Sequence, residues 1–173
     1  MPRERTWSRS SEEARRESVR PAKIISGGQS GADLGALRAG EALGIATGGS
    51  MPKGFRTEAG LRPQYAQRFG MRETSSRSYK GRTRLNVVES DGTLIFSGPS
   101  LAGGSLLTKR LCDALGKPCL ALAVAAASDQ ALLLTDWLAA HRIEVLNVAG
   151  DRESRSPGME AFVFDFLVRA FKA

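Results

Sequence analysis

The stretch Lys23-Ile24-Ile25-Ser26-Gly27-Gly28-Gln29-Ser30-Gly31-Ala32-Asp33 runs a short apolar segment straight into a glycine-rich turn. Beyond the turn, residues 32–43 carry Leu34, Leu37 and Leu43 at helical spacing, and Gly44 stops the run where a helix C-terminus favours glycine. The unit is therefore strand, tight turn, helix. Working outward, the same alternation recurs. Short strands are predicted at 45–47, 93–96, 120–124 and 143–148, with an edge strand at 71–74. Helices are predicted at 63–69, 79–90 (Leu85 and Val88 inward), 103–115, 129–140 and 157–172, the last with Phe162, Phe166 and Val168 as its apolar face. Residues 48–63, with two prolines and four glycines, read as a long functional loop. Strands apolar on both faces and separated by helices imply an α/β fold, a doubly wound, mostly parallel sheet covered by helices on both sides.

The 173 residues suit one domain, placed at 21–173. Residues 1–20 are polar and charge-mixed and read as a mobile tail. No apolar run approaches the roughly 20 residues of a membrane helix. The first twenty residues lack a signal's apolar centre and contain Glu4, Glu12, Glu13 and Glu17, so a cytoplasmic location is expected. Cys112 and Cys119 read as reduced, small apolar residues, and with His141 the sole histidine no protein-ligated metal is expected. The net charge of +7 is spread along the chain without basic runs or interleaved aromatics. That pattern favours solvated surface and a few anion-binding arginines over a nucleic-acid partner.

Three predicted strands lead into turns suited to an anion. The first is the opening turn, where glycines allow close approach and the helix start supplies N–H donors and a positive dipole end. It matches neither the dinucleotide fingerprint nor the Walker pattern. The second, Ser97 to Thr108, opens a helix with Gly103-Gly104-Ser105. The third, Asn147-Val148-Ala149-Gly150-Asp151-Arg152-Glu153-Ser154, offers the planar guanidinium of Arg152. In an open parallel sheet all three turns share the carboxyl edge, where ligands bind at a reversal of strand order. Side chains that could complete the pocket are Asp33, Lys53 in Met51-Pro52-Lys53-Gly54, and Tyr79, Arg82, Thr83 and Asn86 on one helix face. The candidate ligand-binding set is thus Gly27, Gly28, Gln29, Ser30, Gly31, Asp33, Lys53, Tyr79, Arg82, Thr83, Asn86, Gly103, Gly104, Ser105, Thr108, Asn147, Gly150, Arg152 and Ser154.

These motifs, together with Ser90-Asp91-Gly92-Thr93 and Lys117-Pro118, occur in the order that resembles the "putative molybdenum carrier" family, also described as circularly permuted YpsA-like members of the SLOG superfamily. The resemblance covers about residues 23–170. It implies a Rossmann-like fold and binding of a nucleotide or of the molybdenum cofactor, molybdopterin. It also suggests a homo-oligomer, since SLOG relatives commonly self-associate. The sequence departs from the expected pattern at Leu34, Arg38, Ala59 and Asp151. Asp151 places a negative charge beside a proposed anion turn.

Three functions follow. The first is a carrier of a phosphorylated cofactor such as molybdopterin, whose own dithiolene holds the metal and needs no Cys or His from the protein. The second is a nucleotide-processing enzyme that cleaves an N-glycosidic bond, as the LOG relatives do with their PGGxGTxxE motif. The position of that glutamate is Thr108 here, which cannot act as acid or base near neutral pH. Glu58, Asp33 or Asp91 could stand in for it, and catalytic residues stay unassigned. The third is a nucleotide-sensing or nucleic-acid-associated regulator, which only the basic charge supports.

Overall fold

The computed structural model describes residues 19–124 and 130–172. The predicted tail lies largely outside these. Val19 packs against the core, and Arg20 donates to the Leu43 carbonyl. Six strands build one sheet: β1 (Lys23–Ser26), β2 (Ala46–Met51), β5 (Met71–Glu73), β6 (Gly92–Ser97), β7 (Cys119–Ala123) and β8 (Val145–Gly150). Their order is β5-β2-β1-β8-β6-β7, with every pairing parallel. A small antiparallel hairpin, β3 (Arg56–Thr57) and β4 (Gly60–Leu61), rises from the segment read as a loop.

Helices α1 (Ala32–Leu43), α5 (Gln130–His141) and α6 (Met159–Phe171) cover one face. Helices α3 (Tyr79–Glu89) and α4 (Gly103–Leu115) pack together on the other. The short α2 (Tyr65–Phe69) closes a satellite core of Leu37, Met51, Tyr65, Phe69 and Met71. The main core sits between the sheet and the α1–α5–α6 layer, where Phe96 meets Phe166 edge-on with ring centroids 5.3 Å apart. Both cysteines are free thiols.

The doubly wound α/β expectation holds, with two local corrections. The strand predicted at 45–47 continues through Gly48 to Met51 as β2. Gly48, Gly49 and Ser50 give no apolar signal, and at Gly49, where φ is +125°, backbone leaves no room for a side chain: a Cβ would lie 2.0 Å from the Ser26 carbonyl oxygen. Leu85 and Val88 of α3 face solvent, while Thr83, Asn86 and Val87 face inward. Helix α3 carries the chain from β5 across to β6, so its inner side meets polar strand ends as well as the core.

Strand order reverses at the centre. From β1 the chain winds toward β2 and β5, and from β6 it winds toward β7 before returning to β8, which lies between β1 and β6. The carboxyl ends of β1, β8 and β6 therefore converge at the reversal, beneath the N-terminal half of α3.

Candidate functional site

A cleft of about 360 Å³ opens at this reversal. Gln29 and Asp33 line it from the β1 turn, and Tyr79, Arg82 and Thr83 from α3. Gly103, Gly104, Ser105 and Thr108 come from α4, and Gly150, Asp151, Arg152 and Arg155 from the β8 turn. Each of the three turns contributes.

The deep end is organised by Arg82. Its Nη1 is 3.5 Å from Asp33 Oδ2, and its side chain is only 12% exposed. Asp33 also accepts from the Gln29 backbone N–H at 3.1 Å. Burial pushes the Asp33 carboxyl above its ordinary range, and the Arg82 guanidinium is the strongest influence opposing that rise. A Cβ on Gly27 would sit 1.4 Å from Arg82 Nη1, so glycine stands there to let the guanidinium pass. Among the described residues, two buried donors here find no partner, Arg82 Nε and Gln29 Nε2. Gln29 Oε1 is fixed by the N–H groups of Ser30 and Glu58, which orients the amide.

The α4 end differs. Its N-cap residue Ala102 supplies no side-chain acceptor, and a Cβ on Gly104 would meet nothing within 4 Å. An uncapped helix start facing open space suits an anion. The α1 start is less available, because Ala32 N–H already donates to the Asp151 carbonyl at 3.1 Å. A Cβ on Gly31 would approach that same carbonyl oxygen to 2.4 Å, so this glycine serves contact between turns. Arg152 lies over the Tyr79 ring at 5.0 Å, and Arg82 lies 5.8 Å from the same ring.

The Asp151 carboxylate is engaged inside the protein. It accepts from Gly98 N–H, the Ser105 hydroxyl and the Ser156 hydroxyl at 2.9–3.1 Å, and Arg155 lies 3.9 Å away. The residue that departs from the expected pattern thus ties the β6 turn, α4 and the β8 turn together.

Several candidates fall elsewhere. Lys53 lines a separate cleft with Arg56, Glu73 and Arg77. Asn86 bridges β1 and β2, donating to the Ser26 and Ser50 carbonyls and accepting from Ser50 N–H. Asn147 donates to the Thr93 hydroxyl within the sheet. Ser30 and Ser154 both donate to the Glu58 carboxylate, which latches the hairpin onto the β1 and β8 turns. Burial acts against Glu58 ionisation, yet the hydroxyls of Ser154 and Ser30 hold its carboxyl below the usual range. Gly28 abuts the Met51 side chain. The Thr108 hydroxyl returns to the Gly104 carbonyl of its own helix. Asp91 accepts from the Glu144 and Val145 N–H groups at the opposite sheet edge, remote from the cleft. Arg155 was not singled out from sequence; its signal is a second arginine three residues after Arg152.

A family model for the circularly permutated YpsA SLOG family matches residues 24–171. The chain belongs to that family. A crystal structure from Syntrophus aciditrophicus SB, described as a "putative molybdenum carrier protein", is 39% identical to this SLOG chain. The match covers 88% of this chain and 96% of that one, with a TM-score of 0.83. No curated protein matches. The SLOG family's α/β Rossmann-like fold is the one described above, with the cleft at its strand reversal.

Proposed function

We propose that the cleft holds a phosphorylated small molecule and that the protein carries molybdopterin-type cofactor rather than transforming it. The observation that carries this reading is the uncapped, open start of α4 facing Arg152 and Arg155 across one cleft at the strand reversal. The name of the 39% identical relative points the same way. The backbone N–H groups of Gly104 and Ser105 would hold the phosphate with those arginines, and Tyr79 would lie against the ring system. The cofactor's dithiolene keeps its own metal, so this chain's task is to bind, orient and shield. A LOG-type reaction draws less support. The two carboxylates lining the cleft, Asp33 and Asp151, are both buried and engaged with internal donors, and α4 supplies Thr108 where a glutamate would act.

Mass spectrometry of small molecules released from freshly purified protein tests the reading. A pterin phosphate supports it. An intact nucleotide keeps the phosphate site but replaces the carrier by a nucleotide sensor. If nothing is released, and neither pyrophosphate nor a nucleotide panel binds by calorimetry, the reading fails. Gly104→Asp is expected to abolish pyrophosphate binding through bulk and like charge, whereas Gly104→Ala is expected to leave it within about twofold.

A further inference from the structure

The two ends of the cleft are chemically different. The α4 end presents donors and cationic heads, which suit oxyanions alone. The deep end sets a buried carboxylate, Asp33, beside two buried donors without partners, Gln29 Nε2 and Arg82 Nε. Gln29 is 4% exposed and its carbonyl oxygen is already committed, so its amino group cannot be exchanged for an acceptor by flipping the amide. A second phosphate there would satisfy the donors but face the Asp33 carboxylate. An apolar group would leave both donors stranded. The complementary ligand edge carries at least one acceptor and adjacent N–H donors.

We infer that Asp33, Gln29 and Arg82 form a specificity pocket for a 2-amino-4-oxo-pyrimidine edge, the group shared by pterins and guanine. This rests on the phosphorylated-ligand reading and deepens it. The ring N–H and exocyclic amino group are a paired donor set that one carboxylate accepts in bidentate fashion, and the ring carbonyl is the acceptor that the unpartnered donors require. Adenine presents a ring-nitrogen lone pair where the carboxylate needs a hydrogen. Hypoxanthine keeps the ring N–H and the carbonyl but lacks the amino group. Burial of the triad magnifies the discrimination, because a mismatched ligand leaves a desolvated polar group unpaired.

Calorimetry on the full chain with GMP, IMP, AMP and 6-hydroxymethylpterin phosphate tests this. GMP is expected to bind at least ~10-fold tighter than IMP and tighter still relative to AMP. Asp33→Asn is expected to bring GMP down to within about twofold of IMP, and IMP in the same samples is the internal control for a folded cleft. Should the variant fail to fold, the wild-type ligand series decides alone. Equal affinity for GMP, IMP and AMP, or a preference for AMP, overturns the inference while leaving the phosphate site standing. No binding of any phosphorylated probe overturns the functional reading itself. Tighter binding of the pterin phosphate than of GMP assigns the edge to a pterin, and the reverse assigns it to a guanine nucleotide.

Discussion

Replacing Gly27 by alanine isolates the contact that organises the deep end of the cleft. The new Cβ would lie 1.4 Å from Arg82 Nη1 and 2.8 Å from Asp33 Oδ2, so the guanidinium has to leave. Gly27 is not among the residues of positive φ, so alanine meets no backbone penalty there. Removing one partner of a buried ion pair outright costs about 3–5 kcal/mol. The displaced Arg82 keeps its charge and can swing toward the opening, and the pair is already long at 3.5 Å. The expected loss is therefore about 2–3 kcal/mol, equivalent to a fall in Tm of about 4–12 °C for a chain this size. Urea denaturation of Gly27→Ala, Arg82→Ala and the double variant forms a cycle. With Arg82 absent, the 2.8 Å approach to Asp33 remains, and alanine at 27 is expected to cost at least about 1 kcal/mol less than beside Arg82. The cycle also has a pH signature. Burial holds the Asp33 carboxyl above its ordinary range against Arg82, so removing Arg82 lifts it further. A raised carboxyl pKa lowers stability above that pKa, and the penalty is relieved as pH falls through it. Arg82→Ala is thus expected to cost more at pH 8 than at pH 5. If Gly27→Ala costs the same in both backgrounds, the glycine does not serve Arg82 and the reasoning is refuted.

Asp151→Ala strands Gly98 N–H and the hydroxyls of Ser105 and Ser156. A loss of about 2–4 kcal/mol in urea titration is expected, and a loss below about 1 kcal/mol counts against Asp151 as the tie between turns. Asn86→Leu removes three buried hydrogen bonds that join β1 to β2 and is expected to cost about 2–3 kcal/mol, again by urea titration; a neutral result contradicts that bridging role. Glu58→Ala is expected to speed amide exchange across residues 56–61 while shifting the global midpoint by less than about 1 kcal/mol, since its bonds are partly exposed. Unchanged exchange there shows that the hairpin is held by other contacts.

Most of the architecture was legible because apolar runs such as Leu94-Ile95-Phe96 and glycine stops such as Gly44 and Gly116 state their roles locally. The second half of β2 escaped because close packing against β1, not an apolar side chain, fixes Gly48 to Ser50. The inner face of α3 was misread because Leu85 and Val88 suggest an apolar stripe, whereas Asn86 sits between strands and Arg82 fills the deep cleft. The candidate site was legible as a set of turns but not residue by residue. Glycine at 27 and at 31 answers to an arginine and to a neighbouring turn, and glycine at 104 answers to open space. Sequence shows the glycine and not its neighbour.

The same distinction governs the charge of the cleft. Counted as residues, its lining is nearly balanced, with Asp33 and Asp151 against Arg82, Arg152 and Arg155. Counted as available charge it is not. Asp151 directs its carboxylate at three internal donors, and Asp33 is held against Arg82 and the Gln29 N–H. Arg155, with its side chain 49% exposed, and Arg152, over Tyr79, remain at the opening beside the start of α4. Hydrogen bonding leaves the charge of these acids in place but fixes both beneath the rim, so the groups a ligand meets first are the arginines. A general acid or base, by contrast, needs a carboxyl within hydrogen-bond reach of the reacting atom and able to exchange its proton. Engagement of both acids thus works in two directions at once. It leaves the entrance attractive to an anion, and it commits Asp151 to internal donors and Asp33 to holding a ring edge at the deep end, so neither is free to act as acid or base on a bond near the phosphate.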